Sequence, residues 1–517
     1  MKLPKAFVKE MQKLWEEFSP PGTFAEFEKS FQEEASEALL LNSARCKGLS
    51  ELPADYYDSL LYGVEQQEAG VLSPNALTEV PWSKFAYYLP RRHKMSKAVA
   101  YKQGLFYLQD PSAMLAAEIA TSEPYAMVMD LCAAPGGKSF RLASSQMAPR
   151  LLLANELSDK RAKALLRNLD LAASVNVLVS CNDALNLPST LQGNFDLLMA
   201  DVPCTGSAMF RKDKRSLYSW ARLRGEKLID LQARILDKAA DLVCPGGRIV
   251  YSTCSFSYDE NEGQIANFCK RHPGFSICPT TREGADRALV DRNGEFATEN
   301  ALRIWPHRSR GEGQFVSMLC APGEKILSEP KARIDDVFAN ISQVAAQAFR
   351  DFIDFNIKGG GSFLKTLQGG EYLLRENSGM LHLAPSFLPK SSGLRFLKTG
   401  ALLGELKKEK DKLKFHPSQT FLLCLEMRDL LHYINLKQGL LLQKAARGET
   451  ISLEDLRDAL KREELLLCQE QEAEVLLQDI QNLATGRYVA LAYEGRNLLW
   501  LKKQDDFLKN EYPKSWI

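Results

Sequence analysis

Between residues 126 and 253 the chain alternates short apolar runs with longer segments of helical period. The runs at 126–131, 150–155, 175–180, 195–200 and 248–253 are dominated by aliphatic residues, as suits strands buried on both faces. Between them, 138–147 and 159–171 carry helical spacing, and 226–243 sets Leu228, Leu231, Ile235, Ala239 and Leu242 on one side. Pro245, Gly246 and Gly247 stop that last helix before the next strand. Such alternation predicts an α/β domain with a mainly parallel sheet covered by helices on both faces. Upstream, helical patterns at 6–18 and 23–41, the second opened by a capping box of Thr23 and Glu26, predict a small helical N-terminal domain. Downstream of about Glu329 the alternation is lost. Glycine clusters at 359–361 and 369–370 mark a boundary, and short apolar strands recur at 488–493 and 498–501. The expected domains are therefore 1–103, 104–325, 326–415 and 416–517.

Composition narrows this picture. Lys and Arg number 66 against 65 Asp and Glu, so the net charge of +1 excludes a wholly basic nucleic-acid coat and leaves only local patches. No apolar run is long enough to span a bilayer, and the opening fifteen residues read as an amphipathic helix, so a cytoplasmic protein without membrane attachment is expected. Eleven cysteines form no CxxC pair and no repeating framework. Reduced thiols, with no zinc knuckle, no other metal site and no disulfide scaffold, are expected.

Candidate chemistry collects where the predicted strands end. Gly136 and Gly137 follow the first strand, where residues lacking Cβ let a ligand approach the backbone. Glu156 ends the second strand twenty residues after Gly136, the spacing at which an acid reaches a ribose hydroxyl. Asp183 follows the third and is placed to accept from an adenine amino group. The sequence APGGK is not G-x-G-x-x-G, so a nucleoside cofactor without a pyrophosphate is favoured over a nicotinamide dinucleotide. Asp201, Cys204 and Cys254 close two further strands. One cysteine alone reads as a small core residue, but five polar strand ends describe one site.

Two stretches suit RNA. Residues 81–94 interleave Trp82, Phe85, Tyr87 and Tyr88 with Arg91, Arg92, His93 and Lys94; base stacking and phosphate contact are one reading, and a buried aromatic cluster with a solvated basic edge is the other. Residues 210–224 hold six basic residues against one acid, and Arg211, Lys212, Lys214 and Arg215 are expected to grip RNA phosphates.

The motifs DLCAAPGGK (130–138), DVPCTG (201–206) and YSTCS (251–255), with GLFYLQDPSAM (104–114), closely resemble the Fmu/Sun/NOL-type RNA cytosine-C5 methyltransferases. IWPH (304–307), GEGQF (311–315), KFHP (414–417), RGET (447–450) and LKNEYPK (508–514) are similar to the F-type, small-subunit ribosomal RNA branch. The resemblance implies a Rossmann-like domain using S-adenosyl-L-methionine, and a C-terminal PUA-like RNA-binding module. Carried over by position, it makes Cys132, Ala133, Ala134, Pro135, Gly136, Gly137, Lys138, Glu156, Asp183 and Asp201 cofactor-binding. Cys254 becomes the nucleophile, Cys204 the residue that assists collapse of the covalent adduct, and Asp201 a catalytic carboxylate as well. The family's basic N-terminal Asn-Thr-Leu-Lys segment has only a loose counterpart at 41–47, and Thr205 stands where serine is commoner. The expected product is 5-methylcytosine in 16S ribosomal RNA, free or in the assembled subunit, formed by a monomer. Transfer RNA as substrate, or a catalytically silent RNA-binding assembly protein, are the alternatives.

Overall fold

The computed structural model describes residues 1–53, 77–324, 341–359, 372–386, 393–409, 412–466 and 473–514. Glu329, Gly360, Gly361, Gly369 and Gly370, which marked the expected boundary, and the chain end at 515–517 lie outside the described residues.

The N-terminal region is not purely helical. Helix α1 (Lys5–Phe18) buries Phe7, Met11 and Leu14, and the predicted capping box of Thr23 and Glu26 opens α2 (Phe24–Ser30). There the expected long helix ends. Residues Ala38–Leu41 form strand β1, paired antiparallel with β2 (Ala86–Tyr88) on one side and β3 (Phe106–Gln109) on the other. All four residues of β1 are buried, because both faces of this small sheet are covered. An apolar run of four carries no period of its own, so distant partners chose the strand. Helices α1 and α2 instead pack an aromatic cluster onto the next domain, with Phe7 5.0 Å from Phe210 and Phe27 5.1 Å from Phe256 between ring centroids. In the stretch 81–94 the buried-cluster reading prevails: Trp82 and Tyr88 are buried, while Arg91 and Arg92 are exposed.

After α3 (Pro111–Ala120) the expected alternation follows. In order come β4 (Met127–Asp130), α4 (Gly137–Ala143), β5 (Leu151–Asn155), α5 (Asp159–Leu171), β6 (Val177–Ser180), β7 (Phe195–Asp201), α6 (Arg215–Leu223), α7 (Glu226–Leu242), β8 (Val243–Thr253) and α8 (Glu262–Arg271). The parallel strands lie in the order β8-β7-β4-β5-β6. Period two divides their side chains cleanly. Leu152, Ala154, Leu197, Met199 and Val250 join one core with α3, α4 and α5, while Leu151, Leu153, Leu198, Ala200 and Ile249 join another with α7 and α8. Antiparallel strands β9 (Ser276–Ile277), β10 (Asp286–Arg287), β11 (Leu302–Ile304) and β12 (Gln314–Cys320) extend the β8 edge, β9 and β11 each pairing with β12. One expectation about thiols is corrected here. Pairing of β9 with β12 brings Cys278 and Cys320 to a Cα separation of 6.0 Å, and the two form a disulfide.

The C-terminal third begins in the described residues with α9 (Gln343–Asn356). It builds a four-stranded antiparallel sheet from β13 (Tyr372–Asn377), β14 (Met380–Pro385), β16 (Ala401–Glu409) and β17 (Lys412–Pro417). A second sheet joins β18 (Tyr433–Leu436), β19 (Ile451–Ser452), β20 (Tyr488–Tyr493), β21 (Arg496–Lys503) and β22 (Phe507–Asn510). Phe349, Phe352 and Phe415 share a core with Tyr488 and Trp500, so the two sheets are packed together. Strand β15 (Phe396–Thr399) leaves this unit and pairs antiparallel with β6, covering the far edge of the parallel sheet. The buried Lys398 ammonium fastens it to Asp170 at 2.6 Å. No helix among the described residues is long and apolar enough to cross a membrane.

Candidate active site

Adjacent parallel strands place their carboxyl ends side by side, and the site forms there. Asp130 ends β4, and the chain then turns through Gly136, at φ +112°, into α4. A Cβ at Gly137 would lie 2.1 Å from Gln109 Oε1 and 2.9 Å from the Tyr107 ring, so only glycine fits against β3. The loop walls a cleft of about 240 Å³ together with Tyr107, Gln109, Asp110, Asp201, Cys254 and Gln314. Among the described residues, three buried polar atoms on this lining have no hydrogen-bond partner: Asp130 Oδ1, Gln109 Nε2 and Gln314 Nε2. Buried polar groups are ordinarily satisfied, so these three mark where a polar ligand belongs. Burial pushes the Asp130 carboxyl up to about 7 despite the hydrogen bond it accepts from Ser139.

Strand β7 ends in Asp201, in register with Ser252 of β8. One oxygen of Asp201 accepts from the Lys138 ammonium at 2.8 Å and the other from the Ser252 hydroxyl at 2.7 Å. Burial works against the Lys138 charge, but Asp201 outweighs it and holds the ammonium above its ordinary value, with further help from Cys254. Because β7 and β8 are neighbours, the loops that leave them bring Cys204 Sγ to 3.3 Å from Cys254 Sγ. The hydrogen bond to Cys254, and then burial, push the Cys204 thiol well above the usual range. Cys204 is therefore held protonated beside Cys254.

The remaining expected site residues are spread around this centre. Cys132, Ala133, Ala134, Pro135, Gly137, Lys138, Asp201 and Cys254 line the cleft; Gly136, Cys204, Glu156 and Asp183 do not. Glu156 is buried directly after β5, accepting from the Ala134 and Ser158 backbone N–H groups. Asp183 caps the turn after β6, accepting from Leu185 N and Asn186 Nδ2. The expectation for Arg211 is corrected. Its guanidinium is buried against Glu312 at 2.9 Å and donates to the carbonyls of Ser30 and Gly311, so it does not face a phosphate. Lys212 lines the cleft and is exposed, as are Lys214 and Arg215. Gln109, Asp110 and Gln314 were not singled out from the sequence, although each lies in a quoted motif; Met209 also lines the cleft and no sequence signal pointed to it.

Comparison with known proteins follows the same outline. Residues 118–320 match the family model for 16S rRNA methyltransferase RsmB/F, and residues 361–425 match the RsmF rRNA methyltransferase first C-terminal domain. A ribosomal RNA small subunit methyltransferase F from Shewanella amazonensis is 33% identical over 46% of this chain and 51% of its own. One from Shewanella denitrificans is 28% identical over 66% and 67%. The first match thus spans about half the length of that relative. Among solved structures, PH0851 aligns with TM-score 0.51 and 23% identity over 62% of this chain and 66% of that one, a likeness of fold.

Proposed function

With residues 118–320 matching the family model for 16S rRNA methyltransferase RsmB/F and residues 361–425 that for the RsmF first C-terminal domain, we propose that this chain forms 5-methylcytosine in small-subunit ribosomal RNA. The methyl donor is S-adenosyl-L-methionine, and the reaction runs through a covalent adduct with Cys254. The observation that carries this reading is the pair of thiols 3.3 Å apart beside the cleft. Binding RNA asks for neither.

The cleft fits such a cofactor. The unpaired Asp130 Oδ1 and the unpaired Nε2 atoms of Gln109 and Gln314 suit a compact polar ligand. Glu156 and Asp183 are assigned to its ribose and base ends. When bound, the cofactor supplies an electrophilic methyl carbon.

The chain's own residues handle the pyrimidine. C5 of cytosine is too weak a nucleophile unaided, so the Cys254 thiolate adds to C6, forming a C–S bond and pushing electron density toward C5. Asp201 lies against the N3 edge of the ring and stabilises the proton taken up there. Cys204 assists the next step through a water that it orders, which takes the proton from C5 and passes it to solvent. The C5–H electron pair restores the ring double bond, the C–S bond breaks, Cys254 leaves as thiolate, and N3 gives up to solvent the proton that Asp201 had stabilised. Lys212, Lys214 and Arg215 hold the RNA backbone while the target base is turned out of its stack.

Bisulfite sequencing of cellular RNA with and without the gene tests the proposal, because it reports base, position and RNA class together. Loss of one 5-methylcytosine from small-subunit ribosomal RNA is expected. An unchanged pattern there with a loss in transfer RNA would reassign the substrate, and no change in any RNA would remove the activity.

A further inference from the structure

Behind the two thiols, one buried carboxylate ties their loops together. Glu260 lies on the turn between β8 and α8, only 3% exposed. Its Oε2 accepts from the Thr205 backbone N–H and from the Gln232 side-chain amide, both at 2.9 Å. Its Oε1 accepts from the Thr205 and Ser255 hydroxyls, both at 2.5 Å. Thr205 follows Cys204 directly and Ser255 follows Cys254, so a single carboxylate grips the residue next to each sulfur. The turn is held in its own right. Tyr251 OH donates to the Glu260 carbonyl at 2.7 Å, and Asn261 Nδ2 donates to the Ser255 carbonyl at 2.8 Å.

All four donors to the Glu260 carboxylate, three side-chain groups and one backbone N–H, are neutral, which is an expensive way to bury a carboxylate if packing were its only purpose. The grip is also unequal. Two of the four bonds go to Thr205, and a third goes to Gln232, which separately donates to the Pro203 carbonyl at 2.9 Å. The Cys204 loop therefore depends on Glu260 more than Cys254 does, since Cys254 is carried at the end of a long interior strand. We propose that Glu260 is the positioning residue that fixes the separation of Cys204 and Cys254, and so controls the step in which methylated RNA leaves the enzyme. This rests on the covalent mechanism proposed above.

The test uses the full chain, with Glu260→Ala, Thr205→Val, Glu260→Gln and Cys204→Ala variants. Two readouts are followed: denaturation-stable protein–RNA adduct with an unmodified small-subunit ribosomal RNA transcript, and, without RNA, the rate at which diamide joins Cys204 to Cys254. Diamide takes two electrons and two protons as the thiols become a disulfide; followed across a pH series, so that thiolate fraction is separated from geometry, this rate reports proximity. Glu260→Ala and Thr205→Val should both slow disulfide closure by about tenfold and accumulate adduct as Cys204→Ala does, because Cys254 still attacks while Cys204 is misplaced. Glu260→Gln should recover both readouts toward wild type. Its carbonyl can replace Oε2, and its NH2 can donate to the two hydroxyls once they rotate to accept. Thr205→Val, which retains the backbone bond, keeps the test decisive if Glu260→Ala does not fold. Disulfide closure at the wild-type rate in Thr205→Val and in any folded Glu260→Ala would overturn the proposal. Absence of adduct in Cys204→Ala would instead count against the covalent mechanism, with the disulfide rates still deciding the role of Glu260.

Discussion

Cys204 Sγ lies 3.3 Å from Cys254 Sγ, and the two sulfurs stand in different surroundings. Against burial, Asp201 first and Cys254 only after it raise the Lys138 ammonium, whereas the hydrogen bond to Cys254 and then burial raise the Cys204 thiol. The proposed mechanism gives attack to Cys254 and assistance with proton removal to Cys204. Cys254→Ala should abolish methyl transfer and adduct formation. Cys204→Ala should instead trap RNA on the protein, visible as a retarded band on a denaturing gel. The reverse pattern would exchange the two roles.

Asp130 makes the cleft sensitive to pH. Burial, the largest influence, lifts its carboxyl to about 7. S-adenosyl-L-methionine carries a sulfonium and an ammonium, so it binds best to the ionised form, and binding drives off the proton. Affinity should hold above about pH 7 and weaken below it, approaching tenfold per unit in the acid limit. Calorimetric titration from pH 5.5 to 8 measures this. Asp130→Asn should bind more weakly and show no such slope; a flat wild-type profile would remove Asp130 from ligand binding.

The basic segment divides into one structural residue and three surface ones. Arg211→Ala leaves Glu312 buried without its cation and should cost about 3–5 kcal/mol of stability, read as a lower urea midpoint. Lys212→Ala, Lys214→Ala and Arg215→Ala should leave that midpoint in place. Each should instead weaken RNA binding and reduce the dependence of log K on log salt by about one where it meets a phosphate. Full stability in Arg211→Ala would contradict its buried ion pair.

His382 should give the C-terminal unit an acid limit. Burial first, then Lys398, lower its imidazole to about 4. The unfolded chain protonates near 6.5, so it binds more protons than the folded chain between these values. Stability contributed by neutral His382 is therefore complete above about pH 6.5 and is lost as pH falls toward 4, by roughly 1–3 kcal/mol. Denaturant titrations at pH 7 and pH 5 should show a drop in wild type that His382→Leu diminishes. An equal drop in both would show that other groups carry it.

The catalytic sheet was legible because its strands are buried on both faces and its helices on one, so that residues such as Leu151 to Asn155 and Leu228 to Leu242 announce their elements by period alone. Residues 38–41 were not legible. Nothing within ALLL distinguishes a strand from the end of a helix, and the decision came from partners at 86–88 and 106–109. Likewise, Arg211 and Lys212 are adjacent and alike in sequence, yet one guanidinium is buried against Glu312 and the other side chain is exposed at the cleft.

The sequence by itself determined the doubly covered parallel sheet, the glycine turn after β4 and the presence of thiols after β7 and β8. Those are local facts, set by side-chain period and by which residues a backbone turn tolerates. Tertiary structure decided that the two sulfurs touch, that Glu260 grips both of their loops, and which cations remain in water. Such facts are distances between residues far apart in the chain, and they exist only once strand pairing and packing have fixed where each loop begins.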